Sequence, residues 1–286
     1  MPTTSHADAQ IALKPWVMLA LATVAGGLLL FTQPINQALF KALNHGLAAT
    51  PHALWAGLTV LGFGWPIAIL VLAADRRSGI GPAWLAPCVA LTTLFTRVPR
   101  GLWYSPRPLA ALPHDQVVLI GRPVIHASSM PSGHSMAAFA GACLLWFIWS
   151  RVRRSSAPRA ERALHRLPLL LGFGVSVGLS RIAVGAHWPA DVLVGGGLGI
   201  LAATLAVARE RRTSWAPWFA RPAQQRGVAF FELGCALIWA LTDNDYPEGD
   251  WAKWLVVAVG GASGALRWYV TRHPRSVPPH EVVSGH

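Results

Sequence analysis

The sequence predicts an all-α fold, a polytopic bundle of membrane helices. The 286 residues are 53% hydrophobic and only 13% charged, with a mean hydropathy of +0.42, whereas a soluble domain carries about 25% charged residues. The apolar residues are gathered into long runs, and the charged residues lie mostly between those runs. Because backbone polar groups in lipid must be paired within their own segment, such runs are expected to be helices.

Six apolar runs approach the roughly 20 residues that a membrane-spanning helix needs. They cover residues 15–32, 53–74, 83–95, 134–149, 168–184 and 189–208. The third and fourth runs are short, so their helices are expected to extend into flanking polar residues. We predict a six-helix core over residues 15–208, with polar, disordered ends at residues 1–14 and 273–286.

A C-terminal extension over residues 209–272 contains two further runs, at residues 228–241 and 251–270. The first of these is short and contains Glu232, so it either spans the membrane or lies in the interface. The extension is therefore a hydrophobic hairpin or an interfacial segment, and the chain has either eight spans or six.

Lys and Arg predict the orientation, because they are enriched in cytoplasmic loops. With the N-terminus inside, the outer loops hold Lys41 and the motif arginines, which are set aside as functional. The cytoplasmic segments contain twelve of the 24 Lys and Arg residues: Lys14, Arg76, Arg77, Arg151, Arg153, Arg154, Arg159, Arg162, Arg166, Arg209, Arg211 and Arg212. We predict an integral protein of the bacterial inner membrane with its motif-bearing segments on the periplasmic face. The net charge of +12 is spread between apolar runs rather than gathered on one basic domain, so nucleic acid is not an expected partner.

Small residues inside the runs have structural explanations. Cys88, Cys143 and Cys235 lie in apolar stretches without zinc-like spacing and are expected to be buried hydrophobes. Glycines four residues apart let helices approach closely, and here they favour packing within the molecule over dimerisation. Such pairs are Gly174 and Gly178, Gly195 and Gly199, and Gly260 and Gly264.

His187 and Asp191 are four residues apart, and Pro189 between them suits the first turn of a helix. Side chains at this spacing share a helix face, so the carboxylate can accept the imidazole Nδ1–H and leave Nε2 with a free lone pair. A nucleophile with an orienting partner is the arrangement used in covalent catalysis. The alternative is an ordinary polar pair at a helix end. The preceding Ser180 and Arg181 make the pattern more specific.

The segment Pro131-Ser132-Gly133-His134 immediately precedes an apolar run. Ser132 is a natural N-cap, Gly133 lets the backbone approach a ligand, and free N–H groups at a helix start bind phosphate oxygens. His134 can reach the same oxygens and donate a proton to a leaving oxygen. The alternative is a capped helix that carries an interfacial histidine.

Arg100 and Arg107 follow the third apolar run. Guanidinium groups bind phosphate oxygens bidentately and stay charged, and they stabilise the charge of a phosphoryl transition state. The alternative is a pair of interfacial arginines attracted to lipid head groups, beside the aromatic belt residues Trp103 and Tyr104.

Each segment alone has an ordinary explanation, but the three in this order resemble the type 2 phosphatidic acid phosphatase (PAP2) superfamily. Its first motif is Lys-x6-Arg-Pro, and Arg100 stands here in place of the lysine, which keeps the charge. Its second, Pro-Ser-Gly-His, is matched at residues 131–134, and its third, Ser-Arg-x5-His-x3-Asp, at residues 180–191. The motif region covers about residues 97–191. The resemblance implies a PAP2-like six-helix catalytic core.

The resemblance also implies a role for each matched residue. His187 would attack phosphorus and form a phosphohistidine, Asp191 would orient it, and His134 would protonate the departing oxygen. The phosphate would be held by Arg100, Arg107, Ser132, Gly133 and Arg181. No metal or other cofactor is implied. Residues 109–130, between the first two motifs, are expected to set specificity.

The leading hypothesis is a lipid phosphatase whose partners are its lipid phosphate substrate and the surrounding membrane lipids. Candidate substrates are undecaprenyl pyrophosphate, phosphatidic acid, phosphatidylglycerol phosphate and lipid A. The same phosphohistidine would serve a lipid phosphotransferase. Two other hypotheses are weaker: a halide-oxidising enzyme, because those vanadate-binding relatives are soluble, and a non-catalytic transporter, because the catalytic set is intact. The sequence does not predict an oligomeric state.

Overall fold

The computed structural model describes residues 12–75, 77–125, 127–152 and 167–273. These residues contain twelve α-helices and no β-strand, which confirms the all-α prediction. In chain order the helices are α1 Lys14–Phe31, α2 Ile35–Ala48, α3 His52–Leu61, α4 Gly64–Ala74, α5 Ile80–Leu102, α6 Pro108–Ala111, α7 Gly133–Val152, α8 Leu167–Ala183, α9 Pro189–Thr213, α10 Ala216–Phe219, α11 Pro222–Leu241 and α12 Asp250–Arg272. Most of the predicted disordered ends, namely residues 1–11 of 1–14 and 274–286 of 273–286, lie outside the described residues. So do the predicted loop arginines Arg76, Arg153, Arg154, Arg159, Arg162 and Arg166.

Every predicted apolar run lies in a helix, and α5 and α7 extend beyond their runs as expected. The second run is not one straight helix, because α3 and α4 meet at a bend of 65°. Pro66 explains the break: it has no N–H, and its ring would clash with the Gly62 carbonyl if the helix continued. The helix α2 had no counterpart among the predicted runs.

Three helices, α1, α7 and α9, are long and apolar enough to cross a membrane alone, and the bent pair α3–α4 would form a fourth span. The other helices in the described ranges are shorter or more polar. The chain is thus an integral membrane protein, while the prediction of six or eight spans stays open.

One end of the bundle collects all three motifs and is called the motif end. The helices α1, α5, α8 and α11 finish there, and α4, α7, α9 and α12 begin there. Ring contacts join these termini, since Phe31 packs on Trp103 at 5.3 Å and Phe63 lies between His134 at 4.4 Å and Trp239 at 5.1 Å.

The helix α9 is central, and its glycines bring the neighbouring backbones close. A Cβ on Gly195 would lie 2.4 Å from the Ser132 carbonyl oxygen, and one on Gly199 would lie 2.2 Å from that of Met136. A Cβ on Gly197 would lie 2.7 Å from the Ala20 oxygen of α1. These glycines serve packing within the molecule, as predicted.

The C-terminal extension forms a hairpin of α11 and α12 that packs on α3 and α4. At the end opposite the motifs, Arg267 of α12 donates to the carbonyl oxygens of Leu72 at 2.6 Å and Asp75 at 2.9 Å. It also donates to Gln225 at 2.6 Å and Glu232 at 3.3 Å on α11. One buried guanidinium thereby joins the hairpin to the C-terminus of α4.

Candidate active site

The turn between α8 and α9 places His187. Gly185 has a left-handed backbone with φ +75°, which glycine adopts without strain. The N–H groups of Ala186 and His187 both donate to the Arg181 carbonyl oxygen, at 3.0 and 3.2 Å. The turn therefore closes on the end of α8 and directs the His187 side chain into the molecule, where it is 1% exposed.

Asp191 is held in the first turn of α9 and lies beside His187. Its Oδ2 accepts the Trp188 N–H at 2.9 Å and lies 3.4 Å from His187 Nδ1. The Ser129 hydroxyl also donates to this oxygen, and its Oγ lies 3.3 Å from His187 Nδ1. Asp191 thus faces the imidazole as the i, i+4 spacing predicts, and Ser129 is an additional partner that the motifs did not indicate.

The other nitrogen of His187 faces Arg107. His187 Nε2 lies 3.4 Å from Arg107 Nη1, while that guanidinium also donates to the carbonyl oxygens of Ala186 at 2.7 Å and Ala127 at 2.9 Å. A guanidinium has only donors, so Nε2 must offer its lone pair and the proton belongs on Nδ1. This is the tautomer that a nucleophilic Nε2 requires.

The electrostatic surroundings keep His187 neutral. Burial, followed by the guanidiniums of Arg107, Arg181 and Arg100, holds the pKa of His187 well below its usual range. Burial and the neighbouring Arg181 and Arg100 lower the pKa of Arg107 to about 10. Arg107 therefore remains charged at neutral pH beside an uncharged imidazole.

Ser132 caps α7 as predicted, since its Oγ lies 3.4 Å from the Ser135 backbone nitrogen that donates to it. Its own N–H donates to the Asp191 carbonyl oxygen at 3.1 Å, which fixes the start of α7 against α9. A Cβ on Gly133 would meet only Thr96 Cγ2, at 4.0 Å. The backbone at Gly133 therefore faces open space.

Several buried donors around the two histidines have no partner among the described residues. They are Arg100 Nε, Arg181 Nε and His134 Nε2. Arg100 is held by one bond from Nη2 to the Pro131 carbonyl oxygen at 2.7 Å, and Arg181 by one bond from Nη1 to the Tyr246 hydroxyl at 3.0 Å. Buried polar groups are normally paired, so these donors indicate a site for an anion.

The sequence comparison agrees with this geometry. A family model described as the PAP2 superfamily matches residues 81–215. Over these residues the chain is similar to the PAP2 superfamily. The PAP2 region begins in α5 and ends just after α9, so α11 and α12 lie outside it.

Solved structures with a similar fold come from two bacteria. A transmembrane PAP2-type phosphatidylglycerolphosphate phosphatase from Bacillus subtilis is 18% identical with a TM-score of 0.52, and the match covers 70% of this chain and 96% of that one. LpxE from Aquifex aeolicus is 23% identical with a TM-score of 0.49, and the match covers 62% of this chain and 97% of that one. No curated protein matches the chain.

All eight predicted site residues lie at the motif end of the PAP2 region. Direct contacts join His187 to Asp191 and Arg107, and Ser132 to the backbone of Asp191. His134 packs against Phe63 and makes no hydrogen bond through Nε2 to the described residues. No group of three or more His, Cys, Asp or Glu side chains in the described ranges lies close enough to hold a metal ion.

Two buried residues of the site were not predicted. Ser129 lies just before the second motif. Its hydroxyl and its closeness to Ser132 are the only features of the sequence that could have indicated a place in the site. Tyr246 lies in the acidic stretch between α11 and α12, 65 residues beyond Arg181, and no local pattern predicts their contact.

An apolar groove of about 820 Å³ runs between α4, α5, α7 and α11 beside the candidate site. It reaches Arg97 and Gly133 at the motif end, and Trp218 and Phe219 of α10 at the other end. On α5 its lining extends from Pro82 to Arg97, which is about 22 Å of helix. That length is a large part of the roughly 30 Å hydrocarbon layer of a bilayer.

Proposed function

We propose that the protein is a membrane lipid phosphatase that hydrolyses a phosphomonoester or pyrophosphate of a lipid through a phosphohistidine. The proposed catalytic residues are His187, His134 and Asp191. The proposed phosphate ligands are Arg100, Arg107, Ser132, Gly133 and Arg181. We further propose that the site works at the periplasmic face of a bacterial inner membrane.

The observation that carries this proposal is the group of buried, partnerless donors beside a neutral imidazole. Arg100 Nε, Arg181 Nε and His134 Nε2 are buried and have no hydrogen-bond partner among the described residues. Three guanidiniums surround His187, and Asp191 is the one carboxylate that contacts it among the described residues. A phosphate dianion would pair the donors and offset the excess positive charge.

In the first half-reaction, the lone pair of His187 Nε2 forms a bond to phosphorus while the bond from phosphorus to the leaving oxygen breaks. His134 gives its proton to that oxygen, so the lipid leaves as an alcohol or as a lipid phosphate. Asp191 and Ser129 hold the Nδ1 side of the ring, and the arginines stabilise the charge on the phosphoryl oxygens.

In the second half-reaction, His134 takes a proton from water while the water oxygen bonds to phosphorus. The bond from phosphorus to Nε2 breaks, and inorganic phosphate is released. Both histidines return to their starting protonation states, so the cycle needs no other reactant.

The groove supports a lipid as the substrate, because an apolar channel ends at the turn that would bind phosphate. The Bacillus subtilis structure of similar fold is a phosphatidylglycerolphosphate phosphatase, which agrees with a lipid phosphate as the substrate class. The candidates remain undecaprenyl pyrophosphate, phosphatidic acid, phosphatidylglycerol phosphate and lipid A.

The direct test is phosphate release by purified full-length protein from each of these lipids in detergent, without a lipid acceptor. Release from at least one lipid is expected, and His187→Ala is expected to abolish it while the protein remains folded. Transfer that requires an acceptor would favour the phosphotransferase instead. Near-normal turnover by His187→Ala would overturn the assignment of the nucleophile.

A further inference from the structure

The loop between α11 and α12 reaches into the site from outside the PAP2 region. Arg181 Nη1 donates to the Tyr246 hydroxyl at 3.0 Å, and Arg181 Cζ lies 5.4 Å from the centre of the Tyr246 ring. Tyr246 is 2% exposed. Arg181 therefore has a buried partner that belongs to the C-terminal extension.

Hydrogen bonds within the C-terminal extension hold Tyr246 in place. Its backbone N–H donates to Asn244 Oδ1 at 2.8 Å, and the Asn244 amide donates to Asp250 at the start of α12 at 2.6 Å. The tyrosine is thereby tied to a long helix rather than to a free loop.

A second contact ties this loop to the segment between the first two motifs. The Arg122 N–H donates to the Asp245 carbonyl oxygen at 2.9 Å. Gly121 has φ +79°, and a Cβ there would lie 2.4 Å from the Asp245 oxygen and 2.6 Å from the Tyr246 ring. The space that a side chain would need at Gly121 is thus filled by Tyr246 and its neighbour.

The consequence for Arg181 is a fixed guanidinium. A long arginine side chain loses considerable conformational freedom when it binds a ligand. A buried hydroxyl that accepts from Nη1, with a ring over the guanidinium, restricts that freedom in advance. The partnerless Nε of Arg181 remains for the ligand.

We propose that Tyr246 is a positioning residue for Arg181, through which the C-terminal extension completes the phosphate-binding site. This inference rests on the proposed function, because it takes Arg181 as a phosphate ligand. Tyr246 acts through Arg181 and has no chemical step of its own.

The test is the affinity of the purified full-length protein for inorganic phosphate, measured by calorimetry and as a product inhibitor. Tyr246→Phe keeps the ring against Gly121 and removes only the hydroxyl. The loss of one net hydrogen bond predicts about two- to tenfold weaker phosphate binding, measured well below the melting temperature of the variant. Tyr269→Phe, the same change at an exposed position of α12, is the matched control and is expected to bind like wild type.

A double-mutant cycle distinguishes an effect of Tyr246 through Arg181 from a general loosening of the site. In an Arg181→Lys background, Tyr246→Phe is expected to have no further effect on phosphate affinity. The same fold-change in both backgrounds, or no change in the wild-type background, overturns the proposal. If wild type neither binds phosphate nor releases it from any lipid, the proposed function fails instead, so the two failures are distinguishable.

Discussion

At the residue scale, the site is a buried imidazole whose two nitrogens face opposite kinds of partner. Nε2 faces the Arg107 guanidinium, and Nδ1 faces Asp191 and Ser129. This polarity places the proton on Nδ1 and leaves the lone pair on Nε2. The roles that we propose for His187 and Asp191 depend on this arrangement.

Ser129→Ala is expected to lower kcat with little change in KM, because Asp191 Oδ2 would lose one of its donors and keep only the Trp188 N–H and His187 Nδ1. A hydrogen bond to a charged group contributes about 1.5–3 kcal/mol, so kcat should fall roughly 10- to 150-fold. The assay is phosphate release from the lipid that wild type hydrolyses.

The matched control for this prediction is the adjacent hydroxyl. Among the described residues, the Ser128 hydroxyl bonds only to the backbone of Ser105 and Trp103, at 3.2 and 3.3 Å. Ser128→Ala is expected to keep most of the activity, and an equal loss in the two variants would contradict the role of Ser129.

The lowered pKa of His187 predicts an imidazole that stays neutral in mildly acidic solution. A free histidine takes up a proton near pH 6.5, and His187 should do so only at a lower pH. NMR of protein labelled with ¹⁵N-histidine measures this directly, and His187→Gln identifies the signal. A titration midpoint at or above pH 6.5 would contradict the prediction.

The lowered pKa of His187 also determines how its contribution to the free energy of unfolding changes with pH. Between the folded and unfolded pKa values of His187, the unfolded chain binds a proton that the folded protein does not. The contribution of His187 to the free energy of unfolding is therefore fully favourable above pH 6.5 and declines as the pH falls.

Most of the site residues were predictable because each lies in a motif of fixed spacing. Helix periodicity brings His187 and Asp191 together, and the N-cap rule places Ser132. Tyr246 was not predictable, because its contact with Arg181 depends on how two distant segments pack. Ser129 was missed for a related reason, since its role depends on how the loop before α7 folds over α9.

At the element scale, the polar contacts of Arg267 join three helices. Its guanidinium binds the C-terminus of α4 and two side chains of α11. Glu232, which left the position of α11 uncertain in the sequence, is one of those partners and is fully buried.

Arg267→Ala is expected to destabilise the protein by about 3–5 kcal/mol, because it leaves Glu232 buried without its ion-pair partner. The measurement is thermal unfolding in detergent, with activity assayed well below the transition. Arg272→Ala, on an exposed residue of the same helix, is expected to cost less than about 1 kcal/mol. Similar melting temperatures for the two variants would contradict the prediction.

The long helices were predictable from apolar length, whereas α2 was not. Its 14 residues are too few and too polar to predict a span, yet Asn44 donates to the Ile182 and Ala183 carbonyl oxygens at 2.9 and 3.1 Å. That contact supports the end of α8 next to the turn that carries His187. The bend between α3 and α4 could have been predicted from Pro66, but run length alone does not reveal it.

At the scale of the whole molecule, several basic residues outside the motifs lie at the end opposite the candidate site. The motifs share one end. At the other end Lys14 begins α1, Arg77 follows α4 and Arg209 lies near the end of α9. The rule that positive loops stay in the cytoplasm therefore predicts that the site faces the periplasm.

Thiol labelling tests this orientation. Two variants, each with one added cysteine, are made at exposed positions. Glu248→Cys is beside the start of α12 at the motif end, and Thr213→Cys is the last residue of α9 at the opposite end. A membrane-impermeant maleimide added to intact bacterial cells with a permeable outer membrane is expected to label the first variant only. The native cysteines are buried, so wild type serves as the blank, and the reverse labelling would invert the topology.

The groove beside α5 has a kinetic consequence. Its lining includes Val89 and Phe231, which are 49% and 54% exposed on the flank of the bundle, so a lipid would enter by moving sideways within its own leaflet. Encounter would then be a two-dimensional search, governed by the mole fraction of substrate in the surface rather than by its concentration in the buffer. Adding inert lipid or detergent at a fixed amount of substrate should slow the enzyme, whereas adding water should not.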